Sequence, residues 1–559
     1  MAVAWCCGFR TKEQGVRTIQ VFFARGLVVI LLGVLGLLVA CSSSGSTVSA
    51  PRPAMSETYP RVALETIEAL GRYMPGDTEV AFFSSYGSLV EAVSAVSGWG
   101  VVSGDELGGL FRDLGMHYRL DPSKLSSFFE AGFDTGGGFG VGWRQDGVFF
   151  VFETRDDEAF LRWWDNLANE EFGRPRHHRR EHDGWTITQV RVLKEDLASV
   201  ATSPGRPAIV VLGSKLVPGS GESEEALVRM LSASKKLSED AELAALKTQF
   251  GGAPMVAYIQ SPSRWLAHLG DEAGVLSSGG IRFVFGEASL KVEAVGHWEG
   301  EKYVVMSKGA LGEWADPLMG LGASSQGRVL FNAVAIETFV LPMLGEGTRR
   351  AWESTKGKLE QRILGISLER QILDNFLGLA WFGLYGVEPV ADGAMDMKAL
   401  LDQPAALFLP FRDVDLAQSF FSKLNVLKGV LPKDRVSLEL EEGTLHGVVR
   451  LSGNLTLHVA YRAGLLVVMS GRAWPMVRDF LQNPGGKGAQ GLLGASDDVV
   501  SINVSMVDVV TLLGARYTIV REQASKFLAP VRTVGFRVQM NPSFLSVVLE
   551  FDLASKEVH

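Results

Sequence analysis

The sequence predicts an α+β protein of two similar halves, each of mainly antiparallel sheet with packed helices. Three features lead there. Apolar runs of strand length end at a polar residue and give way to amphipathic stretches: 80–84 before 89–96, 150–156 before 160–167, and 256–261 before 265–269. Other runs alternate as hairpin strands do, with 446–452, 455–460 and 465–470 reading as a meander turned at Gly453-Asn454 and Ala463-Gly464. Strands joined by hairpins, with helices interspersed, imply α+β layers and not a doubly wound parallel sheet. The third feature is a repeat: the pattern of the first half returns in the second.

The repeat is legible residue by residue. Residues 150–156 (FVFETRD) match 407–413 (LFLPFRD) at an offset of 257, and Trp163-Trp164 then falls on Phe420-Phe421. At the same offset 209–212 (IVVL) falls on 466–469 (LVVM). Residues 254–270 fall on 498–514 at an offset of 244, and 290–293 (LKVE) on 547–550 (VVLE) at 257 again. The order of matches is preserved. Arg155-Asp156 and Arg412-Asp413 stand where an apolar strand gives way to a helix, so each aspartate is expected to cap that helix by accepting its free N–H groups. The expected organisation is a signal segment over 1–40, a flexible tether over 41–60, a first α+β repeat over 61–310 and a second over 320–559. The junction is expected within 301–327, which is weakly periodic and rich in glycine.

The amino-terminal region carries an address. Residues 26–40 (GLVVILLGVLGLLVA) are uncharged and apolar, with Arg25 immediately before them and Arg17 upstream. A basic flank and a short apolar core are the parts of a secretory signal. The core is shorter than the roughly 20 apolar residues of a membrane-spanning helix. It ends in Leu38-Val39-Ala40-Cys41, followed by Ser42-Ser43-Ser44-Gly45-Ser46. This resembles the lipobox of bacterial lipoproteins. The resemblance implies cleavage before Cys41, a diacylglyceryl group on its thiol and an acylated new amino terminus. The chain has three cysteines, Cys6, Cys7 and Cys41, so cleavage leaves only Cys41 and no internal disulfide. The segment from Ser42 to about residue 57 is rich in Ser, Pro, Ala and Gly and reads as a tether.

Formal net charge is -9, and since the first 40 residues are basic, the body after them is more acidic still. An acidic body argues against nucleic-acid binding, which needs a basic stripe. The body also resembles, loosely, a group of poorly characterised exported bacterial proteins. In these, strands end in Arg-Asp or a similar pair, as at Arg155-Asp156 and Arg412-Asp413. A Gly-Phe-Asp turn, as at Gly132-Phe133-Asp134, precedes a strand. That resemblance implies no activity.

Candidate chemistry is sparse. Asp134-Thr135-Gly136 resembles the triplet of aspartic proteases, where two carboxylates share a proton. The matching place in the second half reads Leu377-Gly378-Leu379, so a glycine-rich turn is expected instead. His177, His178, His182 and Asp183 have the chemistry of metal ligands, but Arg174, Arg176, Arg179 and Arg180 surround them. A solvated basic loop is expected there. Gly219-Ser220-Gly221-Glu222-Ser223 lacks the spacing of a nucleophile elbow, and Gly485-Gly486-Lys487-Gly488 that of a phosphate loop. Trp163, Trp164, Trp185, Trp265, Trp381, Phe420, Phe421 and Trp474 are expected to pack in cores. No catalytic, cofactor-binding or metal-binding residue is assigned, and Cys41, as the lipidation site, is the one functional residue. The expected function is that of a membrane-anchored extracytoplasmic lipoprotein with a non-catalytic binding or structural role in the cell envelope. It would sit on the outer membrane, facing the periplasm or the cell surface. Its expected partners are membrane lipid through the anchor and an envelope protein or apolar ligand. The alternative is an envelope hydrolase or lipid-handling enzyme or carrier with a site between the halves.

Overall fold

A computed structural model describes residues 63–98, 120–260 and 276–298, then 323–330, 375–376, 379–387, 403–426, 436–450, 456–482, 498–508, 531–540 and 544–553, apart from scattered loop positions. Cys41 and Trp265 lie outside the described residues, as does 485–488. The chain divides into two compact units. The first comprises the residues up to Gly300 with Ser543–Leu545 and Leu553–His559, and the second Glu301–Pro542 with Ser546–Asp552.

In the first unit the helices are α1 (Ala63–Gly71), α2 (Tyr86–Gly98), α3 (Leu125–Glu130), α4 (Asp157–Phe172), α5 (Ser223–Leu231) and α6 (Ala241–Phe250). The strands are β1 (Val80–Ser85), β2 (Gly138–Arg144), β3 (Gly147–Phe152), β4 (Arg176–His182), β5 (Trp185–Val192), β6 (Glu195–Thr202), β7 (Ala208–Leu212), β8 (Met255–Ile259), β9 (Leu276–Phe285) and β10 (Ser289–Trp298). They form one antiparallel sheet in the order β10-β9-β8-β1-β2-β3-β7-β6-β5-β4.

The centre of this sheet is buried on both faces, which explains the unbroken apolar runs in its strands. Along β3, Phe149 and Val151 pack on one face with Ile67, Leu70, Leu227 and Phe250 from α1, α5 and α6. Phe150 and Phe152 pack on the other with Tyr86, Phe128, Phe160, Trp163 and Trp164 from α2, α3 and α4. Each such aromatic or aliphatic side chain contributes about 1.5–3 kcal/mol by leaving water.

The second unit contains β11 (Ser325–Leu330), β12 (Leu379–Leu384), β13 (Ala405–Pro410), α7 (Val414–Val426), β14 (Val436–Glu441), β15 (Thr444–Arg450), β16 (Thr456–Arg462), β17 (Leu465–Ser470), α8 (Trp474–Gln482), β18 (Asp498–Ser505), β19 (Val531–Met540) and the greater part, Ser546–Asp552, of β20 (Phe544–Leu553). Its strand order is β20-β19-β18-β11-β12-β13-β17-β16-β15-β14. This is the order of the first unit, strand for strand. Phe408, Trp381 and Val467 pack with Val477, Phe480 and Leu481 of α8 on one face. Phe411, Phe420, Phe421 and Tyr461 form the cluster that includes α7. The α+β class and the similarity of the halves therefore hold.

Two expectations need correction. Val151 faces Ile209 across β3 and β7, while Phe408, 257 residues on from Val151, faces Val467 across β13 and β17, so β7 maps on β17 at an offset of 258. Pattern matching missed this single step because both segments are continuously apolar, and a one-residue slip exchanges the two faces. The basic segment around His177 is not a loop. It is β4, hydrogen-bonded to β5 from Arg176 opposite Arg191 to His182 opposite Trp185, through a turn in which Asp183 and Gly184 both have positive φ. An edge strand with no buried face carries no apolar alternation to reveal it.

The Arg-Asp junctions repeat down to single hydrogen bonds. Asp156 accepts from the Ala159 N–H at 2.9 Å, and Asp413 from the Leu416 N–H at 2.9 Å. The carbonyl of Gly132 accepts from the N–H of both Arg155 and Asp156. In the second unit Asn375 fills this place: its carbonyl accepts from Arg412 N–H, its Oδ1 from Asp413 N–H at 2.6 Å, and its Nδ2 donates to Asp413 O at 2.7 Å. Gly132 has φ +90°, and a Cβ there would lie 2.6 Å from both Asp156 O and Phe160 N. We expect Asp156→Ala and Asp413→Ala each to cost about 0.5–2 kcal/mol. Gly132→Ala should cost more than Asp156→Ala, because strain and clash coincide. Thermal and denaturant melts of the three variants check the ranking.

Candidate functional site

Within each unit, the described polar residues singled out in the sequence serve local structure. Asp156 and Asp413 belong to different units, and each carboxylate is spent on its own helix. Asp134 makes a local turn, its Oδ1 accepting from Gly136 N–H at 3.1 Å and its carbonyl from Gly137 N–H. Arg155 lies with its guanidinium 3.6 Å from the ring centre of Phe129, a half-exposed aromatic at the end of α3. Residues 219–222 are a polar lead into α5. Trp163, Trp164, Trp185, Trp381, Phe420 and Phe421 are buried, as packing predicts.

Two polar centres emerge that the sequence did not announce. In the first unit the carboxylate of Asp196, on β6, is buried beneath the start of α5. It accepts from the backbone N–H of Ser223 at 2.6 Å, from Ser223 Oγ at 2.9 Å and from Gln189 Nε2 at 3.2 Å. Ser199 Oγ lies 2.8 Å from Ser223 Oγ. The carboxylate thus caps α5 from a neighbouring strand, meeting free N–H groups and the positive end of the helix dipole. Ser223 is bound to a carboxylate that is itself engaged, with no imidazole among the groups just named, so this is an anchor for the helix.

In the second unit the same position holds different residues. Ser199 faces Val211 of β7 as His458 faces Met469 of β17. His446 on β15 and His458 on β16 approach with Nε2 and Nδ1 2.9 Å apart, one donating to the other. The indole of Trp474, the first residue of α8, stacks on His446 with ring centres 3.8 Å apart and planes within 4°. Burial and the neighbouring imidazole of His446 hold His458 below its ordinary value of 6.5. Two imidazoles supply half of a zinc coordination shell. No group of three or more potential ligands occurs among the described residues. A shallow open depression in this unit is lined by Tyr385, Gly386, Pro404, Arg472, Ala473 and Met476.

Pairing between Arg282 and Glu293 across β9 and β10 recurs as Arg537 with Glu550 at 2.7 Å. Arg282 Nη1 also donates to the carbonyls of Gln249 (2.9 Å) and Phe250 (3.0 Å), closing the end of α6. The repeated Leu-Lys-Val-Glu and Val-Val-Leu-Glu segments end on these glutamates, though nothing in the sequence assigns them a role. Their arginines went unnoticed because the strands that carry them match poorly.

No protein-family model matches the chain, and no curated protein sequence matches it. Among solved structures it is similar to crystal forms I, III and IV of TP0453, at 10%, 11% and 10% identity with TM-scores of 0.26, 0.27 and 0.25. The matches cover 42%, 42% and 41% of this chain and 80%, 82% and 80% of those chains. At these scores the likeness carries no argument about fold or function.

Two outcomes follow from the polar centres. Asp196→Ala leaves a buried helix start without its acceptor and should cost roughly 1–3 kcal/mol, read by denaturant melts. His458 is held below 6.5 in the folded chain, so the unfolded chain binds its proton more readily. The stability it contributes is present above its ordinary value and is lost as pH falls through the folded one. Melting at about pH 7.5 and about pH 5 should show a drop in the native protein that His458→Gln reduces.

Proposed function

We propose that this protein is an exported bacterial lipoprotein, lipidated on Cys41, whose duplicated body has a non-catalytic binding or structural role in the cell envelope. The observation that carries the reading is Leu38-Val39-Ala40-Cys41, placed at the end of a charge-free apolar run and followed by a serine-rich segment. Lipid supplies the anchor: each buried methylene is worth about 0.8 kcal/mol, and one chain alone binds only reversibly, so two or more acyl groups are needed for a lasting hold. Among the described residues no helix is long and apolar enough to cross a membrane. The reading is supported on the body's side by how the repeated polar groups are used. Asp156 and Asp413 cap helices, and Glu293 and Glu550 hold strand pairs.

Cys41→Ser should abolish incorporation of a labelled fatty acid and move the protein from the detergent phase to the aqueous phase on phase separation. Equal labelling of the native and Cys41→Ser proteins would overturn the proposal.

A further inference from the structure

We propose that copies of this chain associate edge to edge, β4 of one copy pairing antiparallel with β14 of another. The two strands occupy the same place in the two units: each is the last strand of its sheet, paired on one side only among the described residues, β4 with β5 and β14 with β15. Among the described residues each therefore offers a row of backbone N–H and C=O groups along one side. Their charges are opposite. β4 reads RHHRREH, with Arg176, His177, His178, Arg179 and Arg180 all exposed. β14 reads VSLELE, with acidic residues at 439 and 441, no basic residue, and Glu439 exposed.

Ladder geometry puts the charges on matching faces. Arg180 stands opposite Ile187 and pairs with Glu224 of α5. Glu439 stands opposite His446, which lies against Trp474 of α8. Arg180 and Glu439 are thus equivalent positions on the face that carries α5 or α8. Joining two edges antiparallel, about an axis normal to the sheet, keeps corresponding faces on the same side. The basic column of Arg176, His178 and Arg180 then lies beside the column that contains Glu439. Pairing of like edges sets Arg against Arg or Glu against Glu, which is unfavourable across strands, so the charges select the unlike pair. Such a contact is heterologous: each copy keeps one free edge of each kind, and association continues until a ring closes or a filament forms. The association requires neither Cys41 nor lipid.

The test uses the full chain in detergent micelles, followed by sedimentation velocity over a concentration series at low and high salt. One variant reverses the basic edge (Arg176→Glu with His178→Glu) and another the acidic edge (Glu439→Arg with Glu441→Arg). The native chain should self-associate, less so at high salt. Each variant alone should associate about ten-fold more weakly or less. An equimolar mixture of the two should recover association, because it again offers unlike edges. Circular dichroism and melting confirm folding. Where a double variant melts early, the single substitutions Arg176→Glu and Glu439→Arg are mixed in its place. A native chain that stays monomeric at every concentration and salt overturns the proposal, as do variants that associate like the native chain. It is equally overturned if the basic edge is needed only for sedimentation with phosphatidylglycerol vesicles.

Discussion

A strand buried on both faces has no side on which to leave a charge, and this constraint organises the structure. At the centre of the first sheet, β3 and β7 are flanked by other strands and pack against helices on both sides, so they carry no polar side chain, and the neighbouring β2 carries its one charge, Arg144, at its end. Polar groups are displaced to strand ends. There the chain must turn, free the first N–H groups of a helix and cover the sheet within a few residues. An aspartate at that junction satisfies the helix start while staying near solvent, which is why Asp156 and Asp413 recur where they do. The caps are a consequence of double burial, and the Arg-Asp pairs read from the sequence mark topology rather than chemistry.

The same logic separates what was legible in the sequence from what was not. The class, the strand-to-helix junctions and the repeat rest on local apolar patterns that survive inspection of one chain. The meander at residues 444–470 was legible because its strands alternate and its Ala463-Gly464 turn has both residues at positive φ. β4 was not, since a strand with exposed side chains obeys no burial period. Neither polar centre was visible, because each joins residues distant in sequence that only the fold brings together. His446 and His458 are 12 residues apart and meet only when β15 and β16 form their ladder. Asp196 and Ser223 are 27 apart and meet through the placement of α5. The offset of the repeat slipped by one at β7 because an unbroken apolar run does not record which residue points which way.

Comparing the units position by position shows which parts of the fold tolerate change. Core aromatics exchange within their kind, Trp163 and Trp164 for Phe420 and Phe421. The turn before the capped helix exchanges a strained glycine for an asparagine that supplies its own hydrogen bonds. The ion pair of the last hairpin is retained as Arg282 with Glu293 and Arg537 with Glu550. These positions preserve one physical task with different or equal means, and they define the scaffold.

Other positions preserve place and change task. Beneath the helix that follows the meander, the first unit has a carboxylate bound by Ser223 and Gln189 and the second a pair of histidines under a tryptophan. The first engages both oxygens of its carboxylate in hydrogen bonds. The second joins two rings by one hydrogen bond, and burial with the neighbouring imidazole lowers the pKa of His458. At the outer edge, arginines on β4 answer glutamates on β14. A duplicated scaffold whose halves have kept their cores while acquiring opposite edges and different buried polar centres is no longer two copies of one module. It is a pair of complementary surfaces carried on a common frame, and complementarity of that kind has a physical consequence only when the unlike surfaces meet.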